Sequence, residues 1–145
     1  MNGKRAKIRI NSYIDNLDGN GLPEGEPEVS EEILEGAVFK AADGGITVTY
    51  AQCGEGGKTD TELRIEDGAA TVTRRGAIES VMAFRVGEPY KTLYQLPPYS
   101  FDMEIVTKKC ILTEGEGTLR LRLIYSMSVG GASRLCRMEI EAKYN

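Results

Sequence analysis

The chain is 145 residues long, the usual size of one domain, with 41% apolar residues, 28% charged residues and a formal net charge of −4. It has no histidine and no tryptophan, which excludes imidazole-activated serine or cysteine nucleophiles, HExxH metal sites and Cys/His zinc fingers. No segment is long and apolar enough to span a membrane as a helix, and the three cysteines, Cys53, Cys110 and Cys136, form no CxxC spacing.

The first residues, Met1-Asn2-Gly3-Lys4-Arg5-Ala6-Lys7, are basic but lead into Ile8-Arg9-Ile10-Asn11 rather than an apolar run, unlike a signal peptide. With the odd cysteine count, this sets the expectation of a cytoplasmic protein with free thiols. Ile8, Ile10, Ser12 and Ile14 share one parity and Lys7, Arg9 and Asn11 the other, the period-two pattern of a strand with one face in a core. From Asp15 to Glu35 the chain carries eight acids and no Lys or Arg, which leaves the remainder with 18 basic and 14 acidic groups, a net of +4. We read residues 15–32 as an acidic, solvated loop that keeps a sheet edge soluble. Asp15-Asn16-Leu17-Asp18-Gly19 resembles a calcium loop in composition only, because its third and fifth positions are Leu17 and Gly19.

Val29, Ile33, Ala37 and Ala41 fit a helical face, whereas Gly36, Phe39 and the Asp43-Gly44-Gly45 turn favour a strand, which we place at residues 33–41. Ile46, Val48 and Tyr50 alternate after the turn. The run Gly54-Glu55-Gly56-Gly57-Lys58-Thr59 has the flavour of a phosphate-binding P-loop, but Gln52 stands where the first glycine is needed, and Thr59–Ile65 alternates like a strand instead of opening a helix. Leu63 and Ile65 lead to Asp67-Gly68, the chain's strongest hairpin signal, since tight primed turns need positive φ. Ala70 and Val72 follow, then Arg74-Arg75-Gly76. Residues 78–86 run to Gly87-Glu88-Pro89. Phe101, Met103 and Ile105 are odd whereas Cys110 and Leu112 are even, so a bulge is predicted at residues 106–109 to keep both sets inside. Leu119, Leu121, Leu123, Tyr125 and Met127 form one apolar face. After Gly130-Gly131, Cys136, Met138, Ile140 and Ala142 oppose Arg137, Glu139, Glu141 and Lys143, charges that read as cross-strand pairs on a solvated face.

About ten strands with short connections indicate a sandwich or barrel, and so regular a meander favours closure, which removes exposed edges. The fold class read from the sequence is therefore all-β: residues 1–145 as one closed antiparallel meander barrel of about eight to ten strands.

Arg74 shares the inward parity of Ala70 and Val72, and an arginine on a core face is costly unless paired or next to water. It reads either as a buried ion pair or rim arginine, or as the anchor of an anionic ligand. Tyr125 could offer a hydroxyl to the same space, or could be an ordinary core tyrosine.

Thr73-Arg74-Arg75-Gly76-Ala77-Ile78, then Phe84 with Gly87, Tyr94, Pro98-Tyr99, Thr107 and Ile124-Tyr125-Ser126-Met127 resemble, in order and spacing, the YwiB-like family. The match is good over the C-terminal half and holds only as strand order over the N-terminal half. Ser100 departs from the glycine that follows the Pro-Tyr pair in that family. The resemblance implies a bacterial, calycin-like (lipocalin-like) barrel, with Arg74 at the family's arginine position, and it implies no activity.

The resulting expectation is a non-enzymatic barrel that holds a small amphipathic or anionic ligand through Arg74, Tyr94 and Tyr125, without a metal or cofactor. The alternative is a barrel filled by its own side chains that works as an interaction or structural protein. A small molecule and a second copy of the chain are the expected partners; nucleic acid and membrane are not.

Overall fold

The computed structural model describes residues 3–54 and 56–144. Met1 and Asn2 of the basic start, and Glu55 of the glycine-rich run weighed as a P-loop, lie outside the described residues. Ten strands follow in chain order: β1 (Lys4–Leu17), β2 (Glu28–Lys40), β3 (Ile46–Gly54), β4 (Gly57–Glu66), β5 (Ala69–Gly76), β6 (Glu79–Phe84), β7 (Tyr90–Leu96), β8 (Tyr99–Gly115), β9 (Thr118–Val129) and β10 (Ala132–Tyr144). Each pairs antiparallel with its chain neighbours, and β1 pairs with β10, so the sheet closes into a meander barrel.

The alternation read from the sequence sets the inward face. Ile8 and Ile10 on β1, Val48 on β3, Leu63 and Ile65 on β4, Leu119, Leu121 and Leu123 on β9, and Ile140 on β10 are buried together in one core. The hairpin at Asp67-Gly68 forms as predicted, both residues having positive φ (51° and 72°), with Glu66 paired to Ala69 across the turn. The predicted bulge is present as well. Thr107 pairs with Tyr125 and Lys109 with Ile124, so Lys108 is the extra residue that restores the inward phase of Cys110 and Leu112.

Two boundaries differ from the sequence reading. The acidic stretch is not a loop across residues 15–32: β1 runs on to Leu17 and β2 starts at Glu28, leaving residues 18–27 as the connection. Likewise β2 covers Glu28–Lys40 rather than 33–41, and no helix forms. Glutamate is a poor strand former, but β1 offers a complete ladder of partners from Ile14↔Glu28 to Lys4↔Val38, and pairing outweighs intrinsic preference.

The barrel has two unlike ends. The Asp67-Gly68 turn, residues 41–45, 85–89 and 116–117 close one end over the aliphatic core, where Lys40 lies 5.4 Å from the Tyr144 ring centroid. At the other end emerge residues 18–27, the β3–β4 hairpin, the β5–β6 and β9–β10 turns, and the β7–β8 turn with its cis Pro97-Pro98 bond.

Candidate functional site

The second end holds a cavity of about 480 Å³. It exists where most inward positions are occupied by long, flexible or aromatic side chains, with only a few branched aliphatics among them. From β5 and β6 come Val72, Arg74, Met82 and Phe84; from β7 and β8, Tyr94, Phe101 and Met103; from β9 and β10, Tyr125, Met127, Val129, Arg134 and Met138. Every described methionine lines this space, and unbranched thioethers fill irregular gaps loosely. Phe84 and Tyr125 brace the floor, their ring centroids 4.7 Å apart at 57°.

All three candidates from the sequence, Arg74, Tyr94 and Tyr125, border this one cavity. Local structure aims Arg74: it stands opposite Thr61 on β4 and Ser80 on β6, two residues before Gly76 ends the strand. Gly76 has φ 126°, and a Cβ there would run into the backbone carbonyl of Lys58, so only glycine allows β5 to leave the wall at that point. The Arg74 guanidinium donates from Nη1 to Met82 Sδ at 3.7 Å, a weak acceptor. The ion pairs of the described residues all lie elsewhere, so the buried-ion-pair reading of Arg74 does not hold.

The sequence reading missed Arg134. It shares the parity of Cys136 and Met138, which were placed inside, so the same alternation would have found it one step earlier along β10. In the barrel it stands between Met127 on β9 and Asn16 on β1, and it too has no carboxylate partner among the described residues.

Burial, and after it the neighbouring Cys136 thiol, push the Tyr125 phenol far above its ordinary value, against a smaller downward pull from Arg74. Burial also raises Tyr50, again opposed by Arg74, and raises Cys136, which its hydrogen bond to Tyr125 and then the charge of Arg134 pull down. These groups stay neutral at physiological pH, so the charge around the cavity is that of Arg74 and Arg134 and of the carboxylates nearby, Glu28 and Glu32. Hydrogen bonding around them is incomplete: Thr61 Oγ1 and Ser80 Oγ, flanking Arg74, and Thr107 Oγ1, opposite Tyr125, are buried without a partner. Each such hydroxyl costs about 1–3 kcal/mol relative to a bonded one.

Two carboxylates also share the inner face near the mouth, Glu28 opposite Ile14 and Glu32 opposite Ile10. Each is held by an amide: Asn16 Nδ2 donates to Glu28 at 3.2 Å and Gln52 Nε2 to Glu32 at 2.8 Å. Among the described residues no three His, Cys, Asp or Glu side chains gather as a metal site would need.

On the outside of the barrel, a groove of about 630 Å³ runs past Tyr13, Val29, Ile124 and Arg137, with the Arg137 guanidinium 5.5 Å from the Tyr13 ring centroid. Val29 is 70% exposed and Ile33, farther along β2, 49%.

A search of the curated proteins finds no match. Among solved structures, the chain is similar to the ywiB protein from Bacillus subtilis, with a TM-score of 0.85 at 21% sequence identity, covering 99% of this chain and 93% of that one. At that identity the likeness shows the fold: the same closed barrel. Residues 16–140 match the family described as a domain of unknown function, DUF1934. That match takes in 125 of the 145 residues and every residue of the cavity except Ile14, so the YwiB-like resemblance read from the residues holds and the chain belongs to the DUF1934 family.

Proposed function

We propose that the chain is a non-enzymatic, calycin-like binding barrel that holds a small amphipathic anion in its open half. One observation carries the reading: two guanidiniums without carboxylate partners border a single cavity whose other walls are thioether, aromatic and aliphatic. Uncompensated cations beside an apolar surface are costly for a protein alone and well matched to an anionic head carrying an apolar body. The volume lies within the range of roughly 300–1,000 Å³ common for small-molecule sites. The exposed acids of the neighbouring 18–27 loop act on an approaching anion only over about 8 Å at physiological ionic strength, and the anchors lie within the barrel. The Tyr125 phenol and the Cys110 and Cys136 thiols, all raised by burial, are not activated as nucleophiles, which favours binding over turnover. Three free cysteines suit a reducing, cytoplasmic setting.

Native mass spectrometry of protein purified without denaturation tests this. A bound small molecule on the wild type that is lost in Arg74→Met is the expected result; an adduct-free mass for a wild type purified from its own host would count against it.

The outer groove favours a second reading, self-association through Tyr13 and Val29, which are exposed and paired across β1 and β2, with exposed Ile33 farther along β2. Sedimentation of the wild type and of Val29→Lys over a range of concentrations separates the two: only a dimer through this face changes mass with the substitution.

A further inference from the structure

Strand order makes the two arginines of the cavity face each other. Around the closed ring, β5 and β10 are five strands apart in either direction, so Arg74 and Arg134 project from diametrically opposite walls. They stand at the same end, Arg74 two residues before the end of β5 and Arg134 two residues after the start of β10. Arg74 acts on Tyr125 and Arg134 on Cys136, two residues that pair across β9 and β10. Glu28 and Glu32 keep their charge while accepting hydrogen bonds from Asn16 and Gln52, and neither forms an ion pair with Arg74 or Arg134.

We infer that Arg74 and Arg134 form a clamp closing on one doubly charged head group, so that the ligand is a phosphate monoester with an apolar tail and not a simple carboxylate. This rests on the cavity reading above and adds the head group. A carboxylate has two oxygens in one plane, and a single guanidinium can occupy both. A second guanidinium from the opposite wall would then face a head with its charge already matched. A phosphate monoester carries close to two charges at neutral pH and three free oxygens in a tetrahedron, so it presents an oxygen to each wall at once. Among the described residues, three of the four side-chain hydroxyls buried without a partner, Thr61, Ser80 and Thr107, belong to residues that pair with Arg74 or Tyr125, although none of the three lines the cavity itself. The tail then lies against Met82, Met103, Met127 and Phe84, whose flexible thioethers tolerate chains of differing shape.

The test is isothermal titration of the full chain with decyl phosphate and with decanoate, which share an apolar tail of nearly equal length. For the wild type the phosphate is expected to bind about tenfold or more tightly than the carboxylate, the worth of one further hydrogen bond between charged groups. Arg134→Gln is expected to abolish that preference by weakening the phosphate alone, while Arg74→Gln weakens both. Far-UV circular dichroism and urea midpoints confirm that the variants remain folded. Equal wild-type affinity for the two probes, or an equal loss of both in Arg134→Gln, overturns the clamp and leaves a cavity for monoanions anchored by Arg74. Failure of both probes to bind the wild type overturns the cavity reading, and the clamp with it.

Discussion

The two ends of the barrel obey the same alternation and reach opposite results. At the closed end, Ile8, Val48, Leu63, Leu119 and Leu121 face inward, all at 0–1% exposure. Branched side chains with few rotamers pack there in one buried cluster. At the open end the same inward positions carry methionine, arginine and aromatic side chains, and about 480 Å³ is left between them. Period decides which residues point inward, and side-chain shape and polarity decide whether the inside is filled. Stability is thus concentrated at one end and binding capacity at the other.

That division can be challenged by substitution. The largest effect is expected from Leu121→Ala, which removes a fully buried side chain from the tight end and should cost about 2–5 kcal/mol in urea unfolding. Gly76→Ala forces a side chain onto φ 126° and against the Lys58 carbonyl, so a loss of roughly 1–3 kcal/mol is expected, with any ligand affinity falling as the Arg74 strand end shifts. Thr61→Val, nearly isosteric, removes an unpartnered buried hydroxyl at the open end and should be neutral or stabilising by up to about 1 kcal/mol in the same assay. A clear destabilisation would mean that this hydroxyl is bonded in solution. The smallest effect belongs to the outer face of the closed end. The hydrogen bond from Arg120 Nη2 to Glu141 at 2.7 Å holds the Glu141 carboxyl below its ordinary value. A carboxyl with a lowered folded-state value stabilises the fold above its unfolded value, and that contribution fades as pH falls through the carboxylate range. In Arg120→Gln a small loss of stability is therefore expected at neutral pH, shrinking to nothing as pH falls through the carboxylate range, so that the acid limb of a stability–pH profile becomes shallower.

How much of this could be read in the residues varies along the chain. The Leu119–Met127 face, the Asp67-Gly68 hairpin and the bulge near Lys108 were legible because each rests on local chemistry: side-chain parity, positive φ, or a change of phase. Arg74 was legible for the same reason, since it is an arginine in an apolar row. The start of β2 was not, because Glu28, Glu31 and Glu32 have the composition of a loop and become a strand only through pairing with β1, a partner distant in sequence. The meeting of Arg74 with Arg134 was out of reach for a related reason. It depends on the count of strands around a closed ring, and no local pattern encodes which two strands will lie opposite each other. The unpartnered hydroxyls of Thr61, Ser80 and Thr107 likewise look like ordinary strand residues until the neighbours across each strand are known.

The central claim, a filled end and a receptive end in one barrel, is tested most directly by methyl NMR during a titration with decyl phosphate. The account predicts that the methyl signals of Met82, Met103, Met127 and Met138 move together to saturation while those of Leu63, Leu119 and Leu121 stay in place. Methionine signals that remain still at saturating ligand, or leucine signals that move as far as they do, would contradict it.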